Sequence, residues 1–239
     1  MECAIEVVSP LGALGGQLWL VDLRSAANEA DPSQLAPWER ERAARFRFEK
    51  DARRYQAAHL ALRQLLGQHL RMAPSQVPLQ TTPFGKPYID GHPVHFNMSH
   101  SEDWALIGLH TQQIIGVDIE WHHAMTDLDA LAKQNYTAAE YAALRASADP
   151  LAAFLTCWTR KEACLKALGS GFSLEPNLFE AGVHGTSQRV HITTPAKGRC
   201  AMVVSNLDFT LLAKKQAHSL PQLYGAIALV DSQHADRVC

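Results

Sequence analysis

Asp118 and Glu120 interrupt the run IIGVDIEW (114–121), whose Ile114, Ile115, Val117 and Ile119 have the β-branched, apolar character of a buried strand. Strand side chains alternate between faces, so Val117 and Ile119 share one side and the two acids share the other, about 7 Å apart along the chain. Such a pair suits a hard cation, and Mg²⁺ characteristically takes one or two carboxylates together with substrate phosphates. It also suits a half-exposed strand whose outer face is solvated by its acids. A third acid bears on the choice. In LAAFLTCWTRKEACLKALGSG (151–171), Leu151, Phe154, Leu155, Trp158, Leu165 and Leu168 mark one helical stripe, and Glu162 falls inside it. A carboxylate on an inward face is costly unless it is paired or metal-bound. Lys166 follows one turn later, and Lys161 lies toward the other edge. A surface Glu–Lys pair contributes a few tenths of a kcal/mol and does not account for an acid on the apolar side. Three acids and two lysines at a sheltered address imply a metal-assisted phosphate site.

The elements that must position these groups are legible around them. GQLWLVDL (16–23) alternates as a strand. From Pro37 to about Leu70 the apolar spacing is helical, as one long helix or two consecutive ones. Residues 72–87 are rich in proline and form a loop with short extended pieces. Strands are expected near 93–98, 104–109 and 113–120, and a helix over 126–134. Thr137 and Glu140 spell a capping box at the start of the next helix, and another helix runs from near Pro150 to Gly169, before a loop over 169–177. Strands return at 188–193, 199–204, 208–213 and 223–230. This order predicts an α+β chain of two similar subdomains, residues 1–115 and 116–239, with the boundary region near 112–124.

Several classes of function fall away. A net charge of −2 gives no general attraction to nucleic acid or an anionic membrane. No apolar run is long enough to span a bilayer, and no basic residue precedes Arg24 as a signal peptide would require. Five cysteines without a CxxC pair fit free thiols in a reducing cytoplasm. Ser99, His100 and Ser101 are adjacent on an extended segment, so a serine–histidine nucleophile pair is geometrically poor. His92, His95, His122 and His123 lack the grouping of a zinc site and read as solvated loop residues.

GVDIE (116–120) and WTRKEACLKALGSGF (158–172) resemble the two signature motifs of the 4′-phosphopantetheinyl transferase superfamily. FGKP (84–87), FNMSHSEDWALIG (96–108) and ERAARFRFEKDARRY (41–55) resemble further motifs of its larger, surfactin-synthetase-activating class, so the likeness spans roughly residues 38–172 in order. The resemblance implies a pseudo-dimeric fold with coenzyme A in a cleft between the subdomains, a monomeric state, and transfer of 4′-phosphopantetheine to a serine of an apo acyl or peptidyl carrier protein in fatty acid, polyketide or nonribosomal peptide biosynthesis. It implies that Asp118, Glu120 and Glu162 hold Mg²⁺, that Glu162 is the general base, directly or through a water, and that Lys166 stabilises the phosphoryl oxygens. It also implies that Lys86, Ser99 and His100 contact coenzyme A, with Arg42, Arg54 and Lys161 adding to the phosphate cradle. Glu140 matches a position that assists catalysis, beside its local reading as a cap. Phe172 is a candidate carrier contact. Two departures stand out: Glu39 occupies a slot where the family offers a basic group, and Tyr55 replaces a small hydroxyl residue. A catalytically silent module that binds coenzyme A and carrier, and a metal-dependent pyrophosphate hydrolase, are the alternatives.

Overall fold

The computed structural model describes residues 4–7, 16–28, 30–82, 85–91, 94–169, 174–194, 198–209 and 222–231. Two four-stranded antiparallel sheets carry the fold. The first contains β1 (Ala4–Val7), β2 (Gly16–Asp22), β5 (His95–Ser101) and β6 (Trp104–His110), in the order β1-β2-β6-β5. The second contains β7 (Ile115–Trp121), β8 (Ser187–Thr194), β9 (Gly198–Asn206) and β10 (Leu223–Val230), in the order β7-β10-β9-β8. A short ribbon of β3 (Leu79–Thr81) and β4 (Pro87–Ile89) lies apart from both.

The helices are α1 (Leu23–Asn28), α2 (Pro37–Ala43), α3 (Glu49–Leu70), α4 (Leu128–Asn135), α5 (Ala138–Ala146) and α6 (Pro150–Leu168). The 37–70 region is thus two helices, broken where Phe48 turns extended ahead of α3. Part of the expected 208–213 strand lies outside the described residues. Asp208 and Phe209 carry no strand, because β9 ends at Asn206.

Each sheet has one face against a long helix and one against the other sheet. Val21, Phe96, Ala105, Ile107 and Leu109 pack on Ala58, Ala61, Leu62 and Leu65 of α3. Val190, Met202, Val204, Ala226 and Ala228 pack on Ala163, Ala167 and Leu168 of α6. Leu18, Leu20 and Leu106 of the first sheet meet Ile115, Val117, Ile119 and Ile227 of the second in a shared core. Apolar burial at about 25 cal/mol per Å² makes this layered arrangement the chief stabilising term. The alternation read from IIGVDIEW holds: Val117 and Ile119 face the other sheet, while Asp118 is held by groups from β5 and α6.

Gly116 sets how closely α6 approaches. A Cβ there would lie 2.0 Å from the Ala163 carbonyl oxygen and 2.4 Å from the Ala167 nitrogen, so only glycine lets the helix backbone rest on the strand. The helix itself is buried more widely than one stripe: Cys157, Thr159, Arg160, Lys161 and Cys164 are also inside. Its C-terminus is the left-handed Gly169, with φ of 65°.

Candidate functional site

The acids stand at a seam between the sheets. β5 and β7 are edge strands of different sheets, and side chains rather than a backbone ladder join them. Asn97 Oδ1 accepts the Val117 N–H at 2.9 Å, and Ser101 Oγ accepts the Trp121 N–H at 3.1 Å. These bonds satisfy amides that an edge would otherwise leave open. Ser99 Oγ donates to Asp118 Oδ1 at 2.7 Å, and Ser101 Oγ donates to Glu120 Oε2 at 2.8 Å.

From the opposite side, α6 supplies Glu162 and Lys166. They are four residues apart and directly precede Ala163 and Ala167, the residues pressed against Gly116. Lys166 Nζ donates to Asp118 Oδ1 at 2.6 Å and to Ser99 Oγ at 2.7 Å. Burial, followed by the neighbouring charge of Asp118, pushes Glu120 above the ordinary carboxylate value. Glu162 is raised in the same way by burial and Asp118, with Glu120 adding and Lys166 opposing. The Asp118 charge thus makes the ionisation of both glutamates harder, after burial has already done so.

Among the described residues, no three His, Cys, Asp or Glu side chains converge tightly enough to hold an ion. The Lys166 ammonium instead pairs with Asp118 at 2.6 Å. Yet Asp118 Oδ2 is buried with no hydrogen-bond partner among the described residues. A buried carboxylate oxygen left bare, beside two acids raised first by burial and then by Asp118, leaves hard oxygen donors unsatisfied at the seam.

The remaining sequence expectations divide. His100 points to the other face of β5 from the serines; crowding by protein, then the Lys166 charge, hold its imidazole below the ordinary value, with His59 and Arg54 contributing. Arg42 is exposed, with its guanidinium carbon 5.9 Å from the centre of the Tyr55 ring. That ring belongs to the same neighbourhood, 4.1 Å from His59, and its buried hydroxyl has no partner among the described residues. Burial pushes the Tyr55 phenol up to about 12. Lys86 reaches across to α6, where Nζ donates to the Lys166 carbonyl at 2.7 Å and the Ala167 carbonyl at 3.3 Å. A cation at a helix C-terminus is favoured by the open carbonyls.

Three of the expected contacts are engaged by protein groups in this structure. Ser99 does not face an open cradle, because Asp118 and Lys166 engage its hydroxyl. Arg54 is committed to the turn after β5, at 2.6 Å from Asp103 and 2.7 Å from Glu102. Lys161 is 1% exposed and turns away from the acids: Nζ lies 2.7 Å from Glu140, 2.7 Å from the Pro176 carbonyl and 2.6 Å from the Phe179 carbonyl. Glu140 in turn makes the expected capping box with Thr137 and also accepts the amides of Ala181 and Gly182. Burial alone would raise its carboxyl, but Lys161 and these bonds hold it below the usual value. This pair ties the 176–182 segment to α6 and reaches none of the three acids. Gly171 and Phe172 lie outside the described residues.

Sequence reasoning missed two groups. Arg160 is fully buried and donates to the carbonyls of Ala181, Gly182, His184 and Gly185. Ser101 was weighed only as a neighbour of His100 in a nucleophile pair, although its spacing from Ser99 repeats that of Asp118 and Glu120.

Residues 114–217 match the profile of the 4′-phosphopantetheinyl transferase superfamily, and residues 27–112 match the profile described as 4′-phosphopantetheinyl transferase, N-terminal. The 4′-phosphopantetheinyl transferase HetI of Nostoc sp. is 34% identical over 164 residues, covering 65% of this chain and 69% of that protein. Sfp of Bacillus subtilis is 31% identical over 169 residues, covering 70% and 74% respectively. The psf-1 transferase of Bacillus pumilus is 30% identical over 200 residues, covering 80% and 83%.

Proposed function

This chain belongs to the 4′-phosphopantetheinyl transferase superfamily, and we propose from that membership how its residues carry out the reaction. It transfers the 4′-phosphopantetheine arm of coenzyme A to a serine of an apo carrier protein and releases adenosine 3′,5′-bisphosphate. The alternative of a silent binding module gains nothing from the relatives, which are named as transferases.

The observation that carries the site assignment is the seam cluster: Asp118 with a bare buried oxygen, Glu120 and Glu162 raised by burial and then by its charge, and Lys166 at 2.6 Å. Asp118, Glu120 and Glu162 fit as the residues that would hold Mg²⁺, which when bound offsets the charge of the pyrophosphate. The serine oxygen attacks the phosphorus nearest the pantetheine arm. One P–O bond forms as the bond to the bridging oxygen breaks, and the adenosine bisphosphate leaves with that electron pair. Glu162 takes the serine proton. Lys166 supplies a point charge to the phosphoryl oxygens, a role open to a side chain that is 30% exposed and already at the acids.

Coenzyme A lies in the cleft between subdomains 1–115 and 116–239, with its ribose phosphate toward His100, Arg42 and Lys86. The basic neighbourhood around His100 and Tyr55 supports this placement. Because both subdomains are present in one chain, the protein acts as a monomer. The reading also includes a cytoplasmic location; the described cysteines 157, 164 and 200 are free, and no helix among the described residues is long and apolar enough to cross a membrane.

The test is intact-mass spectrometry of a panel of apo acyl and peptidyl carrier proteins incubated with this protein, coenzyme A and Mg²⁺. A gain of one phosphopantetheine mass, lost in EDTA, is expected. Binding of coenzyme A without mass gain on any carrier would overturn the transferase reading, and cleavage without a carrier would favour the hydrolase.

A further inference from the structure

The face of β5 turned to the acids repeats their spacing. Ser99 and Ser101 are two residues apart, as are Asp118 and Glu120, and each serine donates to the acid 19 positions further on. The two hydroxyls are not equivalent. Ser99 is shared between Asp118 and Lys166, so its removal disturbs two charged groups at once. Ser101 touches one acid, and its oxygen is itself fixed by the Trp121 N–H at 3.1 Å.

Resting on the reading that Glu120 helps to hold Mg²⁺, we propose that Ser101 is a positioning residue that fixes the carboxylate of Glu120 for the ion. Glutamate has several freely rotating side-chain bonds, and Glu120 stands near the end of an edge strand, half-buried rather than enclosed. Left alone, it would have to be ordered by the ion itself, which lowers net affinity. The Ser101 hydroxyl removes that cost beforehand: it accepts from the backbone of β7 and donates to Oε2 of the acid on the same strand. Backbone, hydroxyl and carboxylate form a short closed bracket over residues 120 and 121. A threonine retains the oxygen and is well tolerated in a strand, whereas alanine removes it without adding bulk.

The test uses Mn²⁺ alone as the probe, titrated into the full-length protein without coenzyme A or carrier and read by the electron paramagnetic resonance of the free ion. Ser101→Ala is expected to weaken Mn²⁺ binding about tenfold, the scale of losing a group that orients a metal ligand. Ser101→Thr is expected to restore most of that affinity, with both variants melting close to the parent. In turnover, Ser101→Ala should raise the Mg²⁺ needed for half-maximal rate while leaving the KM for carrier unchanged. If Glu120→Gln loses the ion but Ser101→Ala binds it like the parent, the positioning role is overturned and the metal assignment stands. Equal loss in the alanine and threonine variants also overturns the role, because the hydroxyl would then not be what matters. If Glu120→Gln itself keeps the parent affinity, the metal assignment of Glu120 falls, and the Ser101 role with it.

Discussion

The two halves of the molecule are built on the same plan and differ at the positions that face the helix. In the first half a strand, β2, leads to a long helix, α3, and then to an antiparallel pair whose second strand, β6, returns to β2. In the second half β7 leads to α6, and β10 of the pair β9–β10 returns to β7. Each half also fixes its long helix by a buried ion pair. Glu39 of α2 bonds back to the Ala36 amide and holds Arg63 of α3 at 2.7 Å; Glu140 of α5 bonds back to the Thr137 amide and holds Lys161 of α6 at 2.7 Å. Against this common frame, the positions of β2 that turn to its helix are Trp19 and Val21, whereas those of β7 are Asp118 and Glu120. The same scaffold thus carries a plain core in one half and charge chemistry in the other. The approach distance differs too: α6 lies nearer to β7 than α3 does to its sheet.

Glu162→Gln is the sharpest way to break this contrast. If the acids do chemistry, turnover in the mass-spectrometric assay falls by roughly a thousandfold, while thermal melting without metal is unchanged or higher, since a repelled carboxylate has been removed. Retained turnover would reduce the difference between the halves to surface decoration.

Lys161→Met tests whether the second buried pair belongs to the frame rather than to the site. It leaves Glu140 as an uncompensated buried charge, so stability should fall by about 3–5 kcal/mol in urea denaturation. The KM for coenzyme A of the folded fraction should stay at the parental value; a selective rise would return Lys161 to the phosphate cradle.

Lys86→Ala sharpens the account of how the halves are joined. Loss of the cation from the end of α6 should cost about 0.3–1 kcal/mol of stability. The KM for coenzyme A should rise more than that for dephospho-coenzyme A; equal rises would leave the helix-end contact as its whole role.

The smallest expected effect concerns pH. Glu120 and Glu162 are both raised in the folded protein, so they bind protons more tightly folded than unfolded. Their contribution is favourable below the ordinary carboxylate value and is lost as pH climbs through the raised one. In EDTA, melting temperature should therefore decline over that window in the parent, and decline less in Glu162→Gln. Addition of Mg²⁺ above the window should reverse the decline. A flat profile in the parent would contradict the raising of the two carboxyls by burial and by Asp118.

Much of this was legible in the sequence because it depends on local period. The alternation of Val117, Asp118, Ile119 and Glu120 assigned faces correctly, and the helix of Glu162 and Lys166 ran to Gly169 as expected. Thr137 and Glu140 formed their cap because capping is a matter of a few neighbouring residues. What periodicity did not reveal was long-range. Lys161 and Arg54 were assigned to phosphate by charge and motif; the structure pairs Lys161 with Glu140, 21 residues distant, and Arg54 with Glu102 and Asp103, 48 and 49 residues distant, besides the local Asp51. Glu39 looked like a missing cation and is instead the anchor of Arg63 and His59. No periodicity reports which buried charge will meet which.

Gly116 can be viewed as a machinist would view a joint without a shim. The strand and the helix are in direct backbone contact there, so their separation is fixed by the thickness of the chain itself and not by adjustable side chains. A single added methyl has no soft neighbour to compress, and the displacement would pass along the rigid helix to Glu162 and Lys166 together. A designer wishing to detune this protein without touching any charged residue would begin with an alanine at that position, and one wishing to graft its acids onto another scaffold would have to reproduce that bare contact first.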